Sequence, residues 1–184
     1  MIRSIVMSEQ KKKIIIIDDV ELNRTILGEA FSKQYDVLEA EDGEEGLKKI
    51  YANENDLAAV FLDIIMPEMD GFTVLQELER NDIMRHIPVF IITTETTDYV
   101  VERAYDYGVI DVIQKPFNLL IIERRVANII ELFENRARLE KGCTEKSENP
   151  APAVQEKKQN GKEEIYKLAL AKISKIINQV AKEQ

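Results

Sequence analysis

The sequence has little of the chemistry that crosslinks chains, binds soft metals or spans membranes. Its 184 residues include one cysteine and one histidine, too few for an intrachain disulfide or a His/Cys zinc site. The longest unbroken apolar run, Leu57 to Leu62, is far below the ~18 residues of a membrane span. Residues 1–7 are too short for the apolar core of a signal peptide. These absences predict a cytoplasmic protein with no membrane segment.

Positive charge is also scarce. The chain has 34 acidic side chains against 25 lysines and arginines, and its net charge is -9. A nucleic-acid binder needs a basic stripe, so we expect no direct DNA binding. Apolar residues make up 45% of the sequence, which is enough for a sizeable core and excludes a wholly disordered chain.

The length and the local charge predict one domain followed by a different C-terminal region. We assign residues 1–10 to an N-terminal extension, 11–139 to the domain and 140–161 to a polar, proline-containing flexible linker. Residues 162–184 repeat apolar side chains at spacings of four and three, which predicts an amphipathic helix. That helix would cover its apolar face with the domain, a second copy or a partner, and the sequence favours none of these.

Short apolar runs alternate with helical patterns through the first 140 residues. The predicted strands are 14–17, 35–39, 58–62, 89–92 and 109–113. Strict alternation with helices implies right-handed crossovers and a parallel sheet covered on both faces. The half-polar second run and the short fifth run should be edges. We therefore predict an α/β fold with a doubly wound five-stranded sheet in the order 2-1-3-4-5.

The helical patterns also carry start signals and buried faces. In the first helix, the residues predicted to face the core are Leu22, Ile26, Leu27, Ala30 and Phe31. Asp42 and Glu45 have the spacing of a capping box. Asn118 is predicted to cap a long last helix that runs to about residue 139.

Polar side chains follow the strands at the rim where such sheets bind ligands. Strand one is followed by Asp18 and Asp19, strand three by Asp63, strand four by Thr93 and strand five by Lys115. Crowded carboxylates repel one another, and a hard cation such as Mg²⁺ relieves that repulsion. A carboxylate beside Mg²⁺ can also accept a phosphoryl group.

Four motifs at these strand ends resemble the receiver domain of two-component response regulators, over about residues 11–135. They are Ile-Ile-Asp-Asp at 16–19, Leu-Asp-Ile-Ile-Met-Pro-Glu-Met-Asp-Gly at 62–71, Ile-Pro-Val-Phe-Ile-Ile-Thr at 87–93 and Lys-Pro-Phe at 115–117. The resemblance implies that Asp63 is the phospho-acceptor. It also implies that Asp18, Asp19, Asp63 and the backbone carbonyl of Ile65 hold Mg²⁺.

The resemblance implies roles for the fourth and fifth strand ends as well. Thr93 would be the switch hydroxyl, and Lys115 would pair with the phosphoryl group through a loop whose Lys115–Pro116 bond is cis in this family. One position departs from the pattern: many receivers have Tyr or Phe three residues before the lysine, whereas this chain has Val112. Activation is therefore expected to depend more on backbone shifts than on a turning ring.

The function implied is a phosphorylation-controlled signalling switch. Its partners would be a sensor histidine kinase or phosphotransfer protein and a downstream protein. A homodimer could form through the fourth and fifth helices or the C-terminal helix. No output enzyme domain is recognised, so the chain either acts alone or belongs to a longer regulator. One alternative is a receiver-like adaptor with an idle site, whose C-terminal helix would mediate protein association. Another is a phosphatase of the haloacid dehalogenase type, whose nucleophile would lie on strand one.

Overall fold

The computed structural model of the protein describes residues 11–144, and they form one parallel sheet between two layers of helices. The strands are β1 (Lys13–Ile17), β2 (Asp36–Ala40), β3 (Leu57–Leu62), β4 (Val89–Thr93) and β5 (Asp111–Gln114). The helices are α1 (Glu21–Phe31), α2 (Gly43–Asn53), α3 (Gly71–Arg80), α4 (Asp98–Tyr107) and α5 (Leu119–Thr144), with a 3-10 turn at Ile83–Arg85.

The strand order is β2-β1-β3-β4-β5, and all pairs are parallel. This confirms the predicted topology, including the two edge strands. Ile17 at the end of β1 is level with Leu62 at the end of β3. The residues that follow β1 and β3 therefore leave the sheet side by side.

The strand residues divide between two separate apolar cores, and along β1 and β4 they alternate from one core to the other. Ile15 and Ile17 face the core beneath α2, α3 and α4, whereas Ile14 and Ile16 face the core beneath α1 and α5. Because β1 is buried on both faces, a continuous run of isoleucines is the pattern expected of a central parallel strand. In the second core, the rings of Phe31, Phe61 and Phe90 stack at centroid distances of 5.0 and 5.4 Å.

Helix α1 corrects one expectation. Leu27 and Phe31 are buried as predicted, but Leu22 is 65% exposed and Ile26 is 37% exposed. Positions 22 and 26 lie on one side of the helix, and positions 27 and 31 lie about 140° further round. Only the second pair faces the sheet, so the prediction of one inward face was wrong for Leu22 and Ile26.

The predicted helix starts are confirmed. The Asp42 carboxylate accepts from the backbone N–H of Glu45 at 2.8 Å, while the Glu45 side chain accepts from the N–H of Glu41. Asn118 accepts from the N–H groups of Leu120 and Ile121 at 3.0 and 3.4 Å. These bonds satisfy donors that the first turn of a helix leaves without partners.

The last helix is longer than expected. It ends at Thr144, five residues beyond the predicted end, and includes residues 140–144 that were assigned to the linker. Arg136 and Glu140 form an ion pair one turn apart at 3.0 Å, which supports the helix in this region. The remainder of the predicted linker and the predicted amphipathic helix lie outside the described residues. Within residues 11–144, no helix combines the length and the apolar character needed to cross a bilayer.

Candidate functional site

The two central strands present their carboxylates at one rim of the sheet. Asp18 directly follows β1, and its backbone N–H donates to the Ala40 carbonyl at 3.1 Å. Asp63 directly follows β3, and its N–H donates to the Ile17 carbonyl at 2.9 Å. The sheet hydrogen bonding thus continues through both residues, so the backbone that carries their side chains is fixed.

Three carboxylates meet at this rim as the sequence predicted. One oxygen from each of Asp18, Asp19 and Asp63 lies within 4.8 Å of the other two. Asp18 is 2% exposed and Asp63 is 7% exposed, whereas Asp19 is exposed. Burial disfavours the charged form of a carboxylate, so this arrangement requires a compensating cation.

Lys115 supplies part of that compensation. Its ammonium lies 2.6 Å from Asp18 Oδ2 and 2.5 Å from Asp63 Oδ2. Burial alone would lower the pKa of this lysine, but the hydrogen bonds to the two carboxylates outweigh burial and raise it. The Lys115–Pro116 bond is cis, as the resemblance implied, and the Lys115 N–H donates to the Thr93 carbonyl at 2.9 Å.

The loop after β3 holds Asp63 from the other side. The N–H of Ile65 donates to Asp63 Oδ1 at 3.1 Å, so each Asp63 oxygen has a partner. The Gly71 N–H donates to the Ile64 carbonyl at 2.9 Å, which closes the loop. Asp70 caps α3 by accepting from the Thr73 N–H at 2.7 Å.

Thr93 and Val112 occupy less direct positions. Thr93 ends β4 and is fully buried, and its hydroxyl accepts from the N–H of Glu95 at 3.2 Å. The residue that lines the open pocket is instead Thr94, which directly follows β4. Val112 is partly buried against the core beneath α2, α3 and α4.

Sequence reasoning missed two residues at the start of α1. Asn23 Nδ2 donates to Asp18 Oδ1 at 2.9 Å and to Asp18 Oδ2 at 3.2 Å. Arg24 donates from Nη1 to the Asp18 backbone carbonyl at 2.8 Å. Neither residue interrupts the helical pattern or stands at a strand end, so no pattern in the sequence singled them out.

The carboxylates open into a pocket of about 590 Å³. Its walls combine the polar groups of the site with an apolar rim from α1 and the β5–α5 loop. The lining residues are Asp19, Val20, Asn23, Ile26, Asp63, Ile65, Thr94, Lys115, Pro116, Phe117 and Leu119. The pocket therefore has an anionic floor and a partly apolar edge.

The donor set fits a hard divalent cation. Three carboxylates and one ammonium leave two net negative charges. Within residues 11–144 the Asp19 carboxylate forms no hydrogen bond or ion pair. Mg²⁺ prefers one or two carboxylates with retained waters, and an exposed carboxylate beside two buried ones offers such a set.

Comparison with known proteins identifies the family. The sequence profile described as "Response regulator receiver domain" matches residues 14–127. The chain belongs to the response regulator receiver domain family, which confirms the resemblance seen in its four motifs. Members of this family are phospho-acceptor switches of two-component signalling.

Individual relatives agree with this assignment. The chain is 32% identical to the alkaline phosphatase synthesis transcriptional regulatory protein PhoP of Bacillus subtilis, over 67% of this chain and 50% of PhoP. It is 32% identical to the chemotaxis protein CheY1 of Helicobacter pylori (strain J99), over 64% of this chain and 96% of CheY1. Histidine kinase P4 of Formosa agariphila matches at 30% identity, and the match covers only 10% of that protein.

A solved structure shows the same fold. The crystal structure of the CheX-CheY-BeF3-Mg+2 complex from Borrelia burgdorferi matches with a TM-score of 0.60 and 27% identity. The match covers 65% of this chain and 90% of that one. The common part is the receiver domain, and the relatives PhoP and histidine kinase P4 extend well beyond it.

Proposed function

We propose that this receiver works by transfer of a phosphoryl group to Asp63. The observation that carries the proposal is the Lys115 ammonium, which joins Asp18 to Asp63 beside the Asp19 carboxylate, which no group in the described part of the chain pairs with. Such a site combines a buried nucleophile, a fixed positive charge and a place for a divalent cation. Phosphoryl transfer needs chiefly this kind of positioning and charge neutralisation.

In the proposed reaction, a carboxylate oxygen of Asp63 attacks the phosphorus of a phosphohistidine. The P–O bond to Asp63 forms as the P–N bond breaks, and the electron pair stays on the imidazole nitrogen. Lys115 exchanges its bond with Asp63 for one with a phosphoryl oxygen and keeps its bond with Asp18. Thr93 is proposed to turn its hydroxyl toward the phosphoryl group, which would break its hydrogen bond with the Glu95 N–H.

A bound Mg²⁺ would neutralise charge on the phosphoryl oxygens. Asp19, Asp63 and the Ile65 carbonyl are proposed to hold it directly, with Asp18 acting partly through water. The charge balance of the pocket supports this assignment. Further support comes from the related Borrelia burgdorferi complex, which contains BeF3 and Mg²⁺.

The partner on the input side is proposed to be a sensor histidine kinase or a phosphotransfer protein. The apolar rim of the pocket, with Val20 and Ile26 exposed and Phe117 partly buried beside the acidic floor, suits a protein surface that delivers a phosphohistidine. On the output side we propose a downstream protein, and a homodimer through α4 and α5 or through residues 162–184 would be one form of output. This activity would take place in the cytoplasm.

The experiment that tests the function is phosphorylation by a small phosphodonor, such as acetyl phosphate, with Mg²⁺. Intact mass should increase by one phosphoryl group that acid and base release. Asp63→Asn should abolish the increase, while Asp106→Asn, at an exposed carboxylate on α4, should leave it unchanged. Retention of the phosphoryl group by Asp63→Asn would refute the assignment of the acceptor.

A further inference from the structure

Each carboxylate oxygen of Asp18 accepts two hydrogen bonds from protein groups. Oδ1 accepts from the Val20 N–H at 3.0 Å and from Asn23 at 2.9 Å. Oδ2 accepts from Lys115 at 2.6 Å and from Asn23 at 3.2 Å. The amide of Asn23 therefore bridges the two oxygens and fixes the rotation of the carboxylate.

The same turn of α1 also holds the backbone of Asp18. Arg24 Nη1 reaches the Asp18 carbonyl at 2.8 Å, and Arg24 Nε donates to Glu39 on β2 at 3.2 Å. Two adjacent helix residues thus hold one buried aspartate: the Asn23 side chain binds the Asp18 carboxylate, and the Arg24 side chain binds the Asp18 backbone carbonyl. Since Arg24 already anchors the backbone, the separate effect of Asn23 falls on the carboxylate alone.

The hydrogen bonds from Asn23 to the Asp18 carboxylate also affect the neighbouring carboxylates. With Asn23 in place, Asp18 directs one oxygen to Lys115 and keeps its charge partly neutralised by amide and backbone donors. Without Asn23, the carboxylate of Asp18 could rotate within a cluster whose oxygens lie within 4.8 Å of one another. Cation binding would then have to restrict the rotation of the Asp18 carboxylate, and this entropic cost would weaken the binding.

We propose that Asn23 is a positioning residue, which presets the Asp18–Lys115 pair and thereby strengthens divalent cation binding at the acidic pocket. The inference rests on the proposed function, because it deepens the role of the same site. It concerns a residue outside the four motifs that identify the family. Asn23 touches neither the phosphoryl group nor the cation in this scheme and acts only through Asp18.

The test compares three variants of the full chain. Asn23→Leu keeps the size of the side chain and removes the donor. Asn23→Gln keeps a donor that can reach Asp18. Asn81→Leu is the matched control, because Asn81 also donates from Nδ2, to the Tyr51 hydroxyl and the Glu77 carbonyl, but at the end of α3 and far from the pocket in the fold.

Mg²⁺ affinity is measured by calorimetry and by the Mg²⁺ dependence of the thermal midpoint. Asn23→Leu should weaken Mg²⁺ binding about tenfold, which corresponds to about 1.4 kcal/mol and to the lower end of a hydrogen bond to a charged group. The Mg²⁺ concentration that gives half of the maximal phosphorylation rate should rise by a similar factor. Asn23→Gln should recover most of the affinity, and Asn81→Leu should lower the thermal midpoint without changing Mg²⁺ affinity.

Unchanged Mg²⁺ affinity in Asn23→Leu would overturn the inference, and so would an equal loss in Asn23→Leu and Asn23→Gln. A fall in the saturated rate at constant Mg²⁺ affinity would also overturn it. Failure of the proposed function is a separate result, because it appears as phosphorylation of Asp63→Asn. Even if Asp63 is not the acceptor, the Mg²⁺ affinities of the Asn23 variants measured by calorimetry still show whether Asn23 strengthens cation binding.

Discussion

Alanine substitutions at Gly71 and Gly28 test whether close packing of the loop between β3 and α3 fixes the position of Asp63. Gly71 lies at the end of that loop, and Gly28 in α1 is the control. A Cβ added at Gly71 would lie 2.3 Å from the Asp63 carbonyl oxygen and 2.8 Å from the Ile64 Cα. Both neighbours are backbone atoms, so no side chain can rotate away. The start of α3 would have to move away from the end of β3, and Asp63 would move with it.

The magnitude follows from these contacts. Extra atoms forced into a packed site cost about 1–3 kcal/mol, and we expect Gly71→Ala to lower the free energy of unfolding by about 2 kcal/mol. At Gly28 the added Cβ would meet Val37 and Glu39 at 3.5 and 3.6 Å, which are ordinary contacts. Since alanine also restricts the unfolded chain, Gly28→Ala should stabilise the protein by about 0.4–1 kcal/mol.

The assay is urea unfolding followed by far-ultraviolet circular dichroism, because the chain has no tryptophan. With a slope of about 2 kcal/mol per molar urea, the midpoint should fall by roughly 1 M in Gly71→Ala and rise slightly in Gly28→Ala. Gly71→Ala should also slow phosphorylation by acetyl phosphate under conditions where it remains folded. Midpoints that shift in the same direction in both variants would refute the packing argument.

Three other substitutions test the charges and the caps. Lys115→Met leaves two buried carboxylates without their ammonium and should cost about 3 kcal/mol in chelator, with partial recovery in Mg²⁺; equal losses in chelator and Mg²⁺ would contradict this. Burial raises the pKa of Asp111 despite the opposing effect of Arg125, so the native state binds this proton more tightly than the unfolded chain. The stability of the wild type relative to Asp111→Asn should therefore rise as pH falls from 7 toward 4, and a flat difference in urea titrations would be evidence against it. Asp42→Ala removes the cap of α2 and should cost about 1 kcal/mol by thermal or urea unfolding; a loss below 0.3 kcal/mol would show that water replaces the cap.

The topology was predictable because its signals are strong and local. A strand buried on both faces must be apolar throughout, and the four isoleucines of β1 and all six residues of β3 meet that condition. The carboxyl ends of parallel strands lie at one edge, so the order of the strands also predicts which polar residues meet. Asp18 and Asp63 could therefore be paired from the sequence, before any distance was known.

The features that could not be predicted depend on how a helix is rotated about its own axis and on the path of the turns that follow the strands. Apolar periodicity placed Leu22 and Ile26 in the core, because a pattern of apolar residues does not distinguish a face on the sheet from a rim above it. Asn23 contacts Asp18 only because the turn after β1 brings the start of α1 back over the strand end. The choice between Thr93 and Thr94 at the pocket wall likewise depends on where β4 ends, because Thr93 is its last residue and Thr94 belongs to the turn that follows.

Helix α5 begins beside the pocket, where Leu119 lines the wall, and runs for 26 residues. At 1.5 Å per residue its ends are about 39 Å apart. A peptide would need about 12 fully extended residues to touch both ends, and a small molecule in the pocket cannot do so. The length of α5 therefore limits which partners can contact the pocket directly. A partner that binds only the C-terminal end of α5 can respond to the pocket only through a change in the tilt or position of the helix, whereas a partner large enough to cover both ends could contact the pocket itself.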